Sequence, residues 1–288
     1  MEHGFTPQGL DEWIGRVLAE DLGAGDVTAN AVADEQAWAR MWWEAKSPLV
    51  CCGLPVASRF FLVMDNLCVL DRAAEDGREA APGDVLLEVR GPARALLSAE
   101  RSALNVAQHL CGVASLTRKF ADRIKCTGAK VAATRKTMPL FRRFEKYAVR
   151  VGGGIPHRFG LSDGVLIKEN HIIVAGSISE AVSRARDYAH HLLRVQVEVT
   201  NMSELEEALE AGADLVLLDN MDPQSMRQAV ERCQGRVIVE ASGNVTLDNV
   251  REVAETGVDI ISSGSLTHSA PSADISARME RLKEAPHG

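Results

Sequence analysis

The sequence predicts an α/β barrel of parallel strands preceded by a smaller α+β unit. Three observations carry this. First, beyond about residue 128 short apolar runs alternate with helical stretches: KVAAT, DGVLIKEN, RVQVEVT, DLVLLDN, RVIVEASG and VDIISSG. Near-continuous apolar runs are strands buried on both faces, and helices between them make the βα units of a parallel sheet. Second, EALEAGADLVLLDN and EVAETGVDIISSGS repeat one order: helix, glycine, aspartate, apolar strand, polar end. Third, the runs end at Arg135, Lys168, Glu198, Asp219, Ser242 and Gly264. In a closed parallel barrel such ends share the C-terminal rim, where active sites are built. An open doubly wound sheet is the alternative, and it would gather only the ends near its switch point.

Taken in order, residues 9–20 predict a helix, with Ile14, Val17 and Leu18 at helical spacing. EDLGAGDVT then breaks it with glycine and acid. Residues 38–92 hold strand-like runs, ARMWWEAK, LVCCGLPV, CVLDRAA and DVLLEVRG, punctuated by Gly53, Pro55, Gly77, Pro82 and Gly83. A long helical pattern starts at Ser98, a plausible N-cap, and carries Leu104, Ala107, Gln108 and Cys111. Gly112 is expected to bend the chain before a second helix with Leu116, Phe120 and Ile124.

Composition narrows the function. The chain has 288 residues and a formal charge of -8, which argues against a general nucleic-acid binder but not against a local basic pocket. Its six cysteines have no C-x-x-C spacing and no histidine at a zinc-ligand spacing, so a structural metal is rejected. Most lie in apolar runs, which suits a reducing compartment. No signal-peptide pattern and no membrane-length apolar run is present, and a cytoplasmic protein is expected.

Against this acidic background, residues 133–154 gather Arg135, Lys136, Arg142, Arg143, Lys146 and Arg150 against one acid, Glu145. Arg142, Arg143 and Lys146 read as the solvated face of a helix. Arg135, Lys136, Arg158 and Lys168 do not, because they adjoin apolar strands or glycine turns, where an unpaired charge is costly. Arginine suits planar carboxylates and lysine suits phosphate, so the mixture predicts a ligand with both groups. Glu198 and Asp219 end neighbouring strands. They either hold Mg²⁺ or sugar hydroxyls, or neutralise nearby lysines. ASGNVT and SSGSLTHS follow the last two strands, where glycine lets backbone N–H groups approach a sugar 5-phosphate.

Ten segments in order resemble the quinolinate phosphoribosyltransferase family: EDLGAGDVT, ERSALNVAQHLCGVASLT, TRKTMP, EKYAVRVGGG, HRFGLSD, LIKENH, VEV, LDNM, EASGN and TGVDIISSGSLTHS. The resemblance implies an N-terminal sandwich domain over residues 1–112 and an incomplete α/β barrel over 113–272. A C-terminal helix at about 273–288 is expected against the first domain. The implied reaction joins quinolinate to phosphoribosyl pyrophosphate with loss of CO₂, aided by Mg²⁺, in a homodimer with a shared active site. By the same resemblance Arg101 would reach a carboxylate from the partner subunit, and Arg135, His157 and Arg158 would hold the two carboxylates. Lys136 and Lys168 would contact substrate and pyrophosphate, Glu198 and Asp219 would bind ribose hydroxyls and Mg²⁺, and Ser242, Gly243 and Gly264 would cradle the 5-phosphate.

Pro156, Met138 and Leu140 depart from the family's usual residues beside the carboxylate pocket. A molybdenum-associated branch shares the fold with a different acceptor, but LIKENH and EKYAV look more like the quinolinate enzymes. Two rivals stand outside the family. A Schiff-base lyase on Lys168 would leave the arginines unexplained. A nucleic-acid binder using the 133–150 cations would lack interleaved aromatics.

Overall fold

The structure, a computed structural model, describes residues 7–283. Its contacts divide into two compact units. One comprises the residues up to Leu116, Arg143–Gly152 and those from Ala270 on; the other is Thr117–Arg142 with Gly153–Ser269.

The first unit begins with helices α1 (Pro7–Leu22) and α2 (Val27–Val32), strands β1 (Trp38–Ala45) and β2 (Leu49–Val50), and helix α3 (Leu54–Met64). Strands β3 (Val69–Ala73), β4 (Glu79–Ala80) and β5 (Val85–Pro92) lead into α4 (Ala93–Arg123). Strand β1 shows why a sheet forms here. WARMWWEA alternates strictly, with Ala39, Met41, Trp43 and Ala45 buried and the residues between them less so. On the other face Arg40 pairs with Glu88 at 2.6 Å and Glu280 at 3.1 Å. Helix α3 buries Phe60 and Phe61, with Trp13 edge-on to Phe60 at 5.9 Å and Phe61 against Trp43 at 5.9 Å. Each such ring contributes about 1.5–3 kcal/mol by leaving water.

Three expectations change here. The helix does not start at Ser98 but at Ala93, and Ser98 Oγ donates to Asp26 Oδ2 at 3.0 Å from within it. Gly112 does not bend the chain, because α4 runs through it unbroken. A Cβ there would lie 2.1 Å from the Pro271 carbonyl oxygen, so the glycine serves a close backbone approach. The tail is not a helix: β12 (Ile275–Leu282), the chain's last strand, pairs antiparallel with β1 along its whole length, giving the sheet order β12-β1-β5-β3. Its Arg and Glu residues favour a helix locally, and the eight-residue ladder with β1 overrides them. Residues 284–288 lie outside the described residues.

In the second unit six strands form one parallel sheet: β6 (Lys130–Ala132), β7 (Val165–Ile167), β8 (Val195–Val199), β9 (Leu215–Asp219), β10 (Ile238–Ser242) and β11 (Ile260–Ser262). The order is β6-β11-β10-β9-β8-β7. Edge strands β6 and β7 do not pair with each other; only a single parallel bridge, Ala132 to Ile155, extends β6. This is the incomplete α/β barrel. Helix α5 (Arg142–Val151) precedes β7 in the chain but belongs, from Arg143 on, to the first unit. After β7 come α6 (Glu169–Ala175), α7 (Ile178–Tyr188), α8 (Met202–Glu210), α9 (Pro223–Cys233), α10 (Val250–Ala254) and α11 (Ser265–His268).

Register explains the polar residues inside apolar strands. Glu198 and Glu240 are both paired with Leu217, while Gln196 is paired with Leu166 and Leu215. Paired residues of a parallel sheet point to the same side, and alternate residues share it. Leu166, Lys168, Gln196, Glu198, Leu217, Glu240 and Ser242 therefore belong to one face. The other face carries Val195, Val197, Val199, Val216, Leu218, Val239 and Ala241, all buried.

Candidate active site

Five of the one-face residues, Leu166, Lys168, Leu217, Glu240 and Ser242, line a cleft of about 320 Å³ in the second unit, together with loops after the strands. Its walls include Arg135, Lys136, His157, Arg158, Lys168 and Ser242, six of the residues singled out from sequence, along with Glu240 and Ser262.

Two adjacent cations dominate it. The Nε atoms of Arg135 and Arg158 are buried and have no hydrogen-bond partner among the described residues. Arg158 donates from Nη1 to the Gly164 carbonyl at 3.0 Å, and neither arginine forms an ion pair among the described residues. Burial, with the charge of Arg135 added, pulls the Arg158 guanidinium below its ordinary pKa. Both side chains are part-exposed, but a buried N–H without a partner is costly, and here two like charges share one place.

Local bonds hold these cations in position. Asp163 accepts the N–H groups of Phe159 at 2.5 Å and Gly160 at 2.7 Å, closing the HRFGLSD loop. Arg142 donates to Thr137 Oγ1 at 2.9 Å and to the Phe159 carbonyl at 3.1 Å, so it ties the loop bearing Arg135 to the loop bearing Arg158. Two histidines accept from the backbone of rim cations: His157 Nδ1 from the Arg158 N–H at 2.8 Å, and His171 Nδ1 from the Lys168 N–H at 3.0 Å.

The reading of a solvated helix face fails for two of its three residues. Arg142 makes the bonds just given, and Lys146 is buried. Helix α5 buries Phe144, Glu145, Lys146, Ala148 and Val149, too wide a surface for one polar stripe. Arg143 is exposed.

Lys168 Nζ donates to Glu198 Oε2, so Glu198 does neutralise a neighbouring lysine. Asp219 Oδ2 accepts from Asn220 Nδ2 at 3.0 Å. No group of three or more potential metal ligands occurs among the described residues. One or two carboxylates nevertheless fit Mg²⁺ that is held largely by substrate phosphates.

At the glycine turns a Cβ would meet close neighbours. Gly243 has φ +90, and a Cβ there would lie 2.3 Å from Asn220 Oδ1. A Cβ on Gly264 would meet Lys136 Cδ at 2.7 Å and the His268 ring at 3.0 Å. Thr267 Oγ1 also donates to the Lys136 carbonyl at 2.6 Å, which keeps this loop against the Arg135–Lys136 segment. Arg101 is exposed on α4, in the first unit.

Sequence reasoning gave no role to Gln196, Glu240, Arg142, Asn220 or Asn244. The first two carried a readable signal, since each is a polar residue in mid-strand within RVQVEVT and RVIVEASG. Gln196 Nε2 donates to Glu240 Oε2 at 2.8 Å inside the sheet.

Fold and site together define an α/β-barrel enzyme with a cation-rich cleft at the C-terminal ends of its strands. Residues 26–111 match the family model described as quinolinate phosphoribosyl transferase, N-terminal domain, and residues 113–278 that of the C-terminal domain. The chain belongs to the quinolinate phosphoribosyl transferase family. It is 40% identical over 267 residues to a protein of Bacillus subtilis named probable nicotinate-nucleotide pyrophosphorylase (carboxylating), covering 93% of this chain and 92% of that one. It is also 40% identical to the nicotinate-nucleotide pyrophosphorylase (carboxylating) of Rattus norvegicus, over 98% of this chain and 95% of that one. The crystal structure of NadC from Streptococcus pyogenes superposes with a TM-score of 0.92 at 40% identity, covering 97% of this chain and 99% of that chain.

Proposed function

We propose that this protein transfers the phosphoribosyl group of phosphoribosyl pyrophosphate to quinolinate, with decarboxylation to nicotinate mononucleotide. One observation carries the reading: two guanidiniums with buried, unpartnered Nε atoms share a cleft at the strand ends. A planar dicarboxylate supplies what both lack, through bidentate charge-assisted bonds.

In this reading Arg135 and Arg158 hold the carboxylates of quinolinate. Lys136 and Lys168 face the pyrophosphate, and the loops at Ser242, Gly243 and Gly264 receive the 5-phosphate through backbone N–H groups. Glu198 and Asp219 would hold ribose hydroxyls and Mg²⁺. The metal would neutralise charge on the departing pyrophosphate. The protein's own work is to bring two mutually repelling anions together with the pyridine nitrogen in line with C1 of the ribose. Such positioning removes up to roughly 7–11 kcal/mol of barrier in ideal cases. The nitrogen's electron pair forms the new bond to C1 as the C1–O bond breaks and pyrophosphate departs. The ring nitrogen is then cationic, and the carboxylate beside it leaves as CO₂, its electron pair staying on the carbon next to N⁺ until a proton arrives.

Pro156, Met138 and Leu140 do not line the cleft, and Leu140 is 89% exposed, which supports quinolinate rather than a changed acceptor. The lyase reading leaves Arg135 and Arg158 without work. The nucleic-acid reading loses two cations of its run, because Lys146 is buried and Arg142 is bonded within the protein.

A second copy of the chain is proposed to complete the site with Arg101, which is exposed and forms no ion pair among the described residues. No helix among the described residues is long and apolar enough to cross a membrane, and all six cysteines are free, which suits a reducing cytoplasm. The test is purified protein with Mg²⁺, phosphoribosyl pyrophosphate and quinolinate, nicotinate or other pyridine acids offered in parallel. Nicotinate mononucleotide and CO₂ are expected from quinolinate alone. Consumption of another base instead of quinolinate overturns the acceptor.

A further inference from the structure

Glu240 is the acid among the residues lining the cleft, and the proposed reaction leaves it without a role. It is 1% exposed, in the middle of β10. Gln196 Nε2 anchors its Oε2 at 2.8 Å, and its Oε1 is buried with no partner among the described residues. Burial raises the pKa of this carboxyl, but bonds from His157, Ser262 and Gln196 and the charge of His157 carry it below the ordinary value. A buried carboxylate at the floor of a pocket for anions repels the substrate and costs desolvation. Its position needs another explanation.

The explanation lies in His157. Its Nδ1 accepts the Arg158 N–H at 2.8 Å, and its Nε2 faces Glu240 Oε2 at 3.5 Å. A ring nitrogen that accepts a hydrogen bond carries no proton, so the proton of the neutral ring is on Nε2. The opposite tautomer would set Nδ1–H against the Arg158 N–H and the Nε2 lone pair against a carboxylate, repulsive at both ends. The doubly protonated ring would keep the contact with Glu240 but lose the bond from Arg158. It would also add a cation to a cleft that already holds Arg135, Lys136, Arg158 and Lys168.

We infer that Glu240 is a positioning residue: anchored by Gln196, it locks His157 as the Nε2–H tautomer, and the Nδ1 lone pair then pins the Arg158 backbone so that its guanidinium meets a substrate carboxylate. His157 thereby acts through Arg158 instead of donating to the substrate. The 3.5 Å contact is at the long limit for a hydrogen bond. Catalytic contacts of this kind commonly tighten when substrate binds. The inference rests on the dicarboxylate reading of the cleft only for its functional consequence; the tautomer follows from the protein's own bonds.

Two measurements test it. In the full chain labelled with ¹⁵N-histidine, long-range proton–nitrogen spectra at mildly alkaline pH report which ring nitrogen carries the proton; the signals of His157 are those missing from His157→Asn. Protonated Nε2 and bare Nδ1 are expected, and a protonated Nδ1 overturns the inference without any variant. In Glu240→Gln the two tautomers are expected to mix, and KM for quinolinate rises about tenfold, the scale of one weakened hydrogen bond. KM for phosphoribosyl pyrophosphate stays within about twofold, a split that a merely structural role would not produce. An unchanged tautomer, or equal losses for both substrates, overturns the inference. If Glu240→Gln does not fold, Gln196→Leu removes only the anchor and is held to the same split. Absence of quinolinate turnover in the unaltered protein sinks the substrate reading, while the spectrum still decides the tautomer.

Discussion

Buried ionic groups occur in both units, and they are handled in opposite ways. In the first unit Glu145 is wholly buried and paired with His109 Nε2 at 2.8 Å. Asp76 is likewise committed, accepting the Gly53 N–H at 2.9 Å and the Tyr147 hydroxyl at 2.7 Å. In the cleft of the second unit the Nε atoms of Arg135 and Arg158 are buried without a partner among the described residues. A protein that can pair a buried charge does so, because the unpaired ion costs several kcal/mol. The difference teaches which buried charges serve the fold and which wait for a ligand: bonds made within the chain mark the first kind, and groups held in place but left unanswered mark the second.

Substitution tests the comparison most sharply in the cleft. Arg135→Ala and Arg158→Ala are each expected to lower kcat/KM by about 10²–10³, as loss of a preorganised charge to a reacting anion does. Thermal unfolding should not fall, since each change removes a like-charge contact that already depresses Arg158. A clear drop in melting temperature for both would make them structural residues. The first unit should respond the other way. Glu145→Ala leaves His109 facing an empty buried site and is expected to cost about 3–5 kcal/mol in denaturant unfolding. A change under about 1 kcal/mol would erase the contrast between the units.

The proposed dimer joins the two regions functionally and can be broken separately. Arg101→Ala and Lys168→Ala are each expected to be nearly inactive. If the site is shared, mixing them after subunit exchange should restore about a quarter of full activity, because half of the dimers then hold one intact site. No recovery, with exchange shown by mass, would place Arg101 at its own chain's site or at none.

The strands of the second unit were legible because burial on both faces leaves apolar runs, and the positions just past each run were the rim. Arg135, Lys168 and Ser242 followed from that rule and do line one cleft, whereas Glu198, Asp219 and Gly264, named by the same rule, are not among its lining residues. Arg158 was noticed beside a glycine turn, and His157 entered with the family resemblance. What stayed hidden depends on partners distant in sequence. ISARMERL is a strand only because β1, more than 200 residues earlier, pairs with it. Helix α4 tolerates Gly112 because the backbone at Pro271 packs there. Lys146 looked solvated because a one-dimensional charge run says nothing about what covers a helix. Glu240 and Gln196 could have been noticed as polar breaks in apolar strands, but only the sheet register puts them on the same face.

The glycines of the rim give a finer version of the comparison. Both Gly243 and Gly264 lack room for a Cβ, yet for different reasons. At Gly243 φ is +90 and the obstacle is the Asn220 amide, which also receives Asn244 Nδ2 at 2.9 Å. Gly243→Ala is therefore expected to lose both stability, by about 1–3 kcal/mol, and activity. At Gly264 the backbone is in the ordinary right-handed region, and the nearest obstacle is the flexible stem of Lys136. Gly264→Ala should keep its stability within about 0.5 kcal/mol and raise KM for phosphoribosyl pyrophosphate by displacing Lys136.

Acid gives the smallest effect. Burial opposes ionisation of Glu240, but its bonds carry its folded pKa below the ordinary 4.5. A depressed carboxyl contributes stability that is present above its unfolded pKa and lost as pH falls through the folded value. The groups facing it are His157, Gln196 and Ser262, with Arg135 and Arg158 in the same cleft. Asp11 in the first unit is also lowered, chiefly by its bond from Arg59, but that pair lies near the surface. Between pH 4.5 and the folded pKa, the unaltered protein should therefore lose stability on acidification more steeply than Glu240→Gln, whereas Asp11→Asn should flatten the curve less because solvent screens its pair. Equal slopes in the unaltered protein and Glu240→Gln would mean that the buried carboxylate is no better bound in the fold than in the unfolded chain.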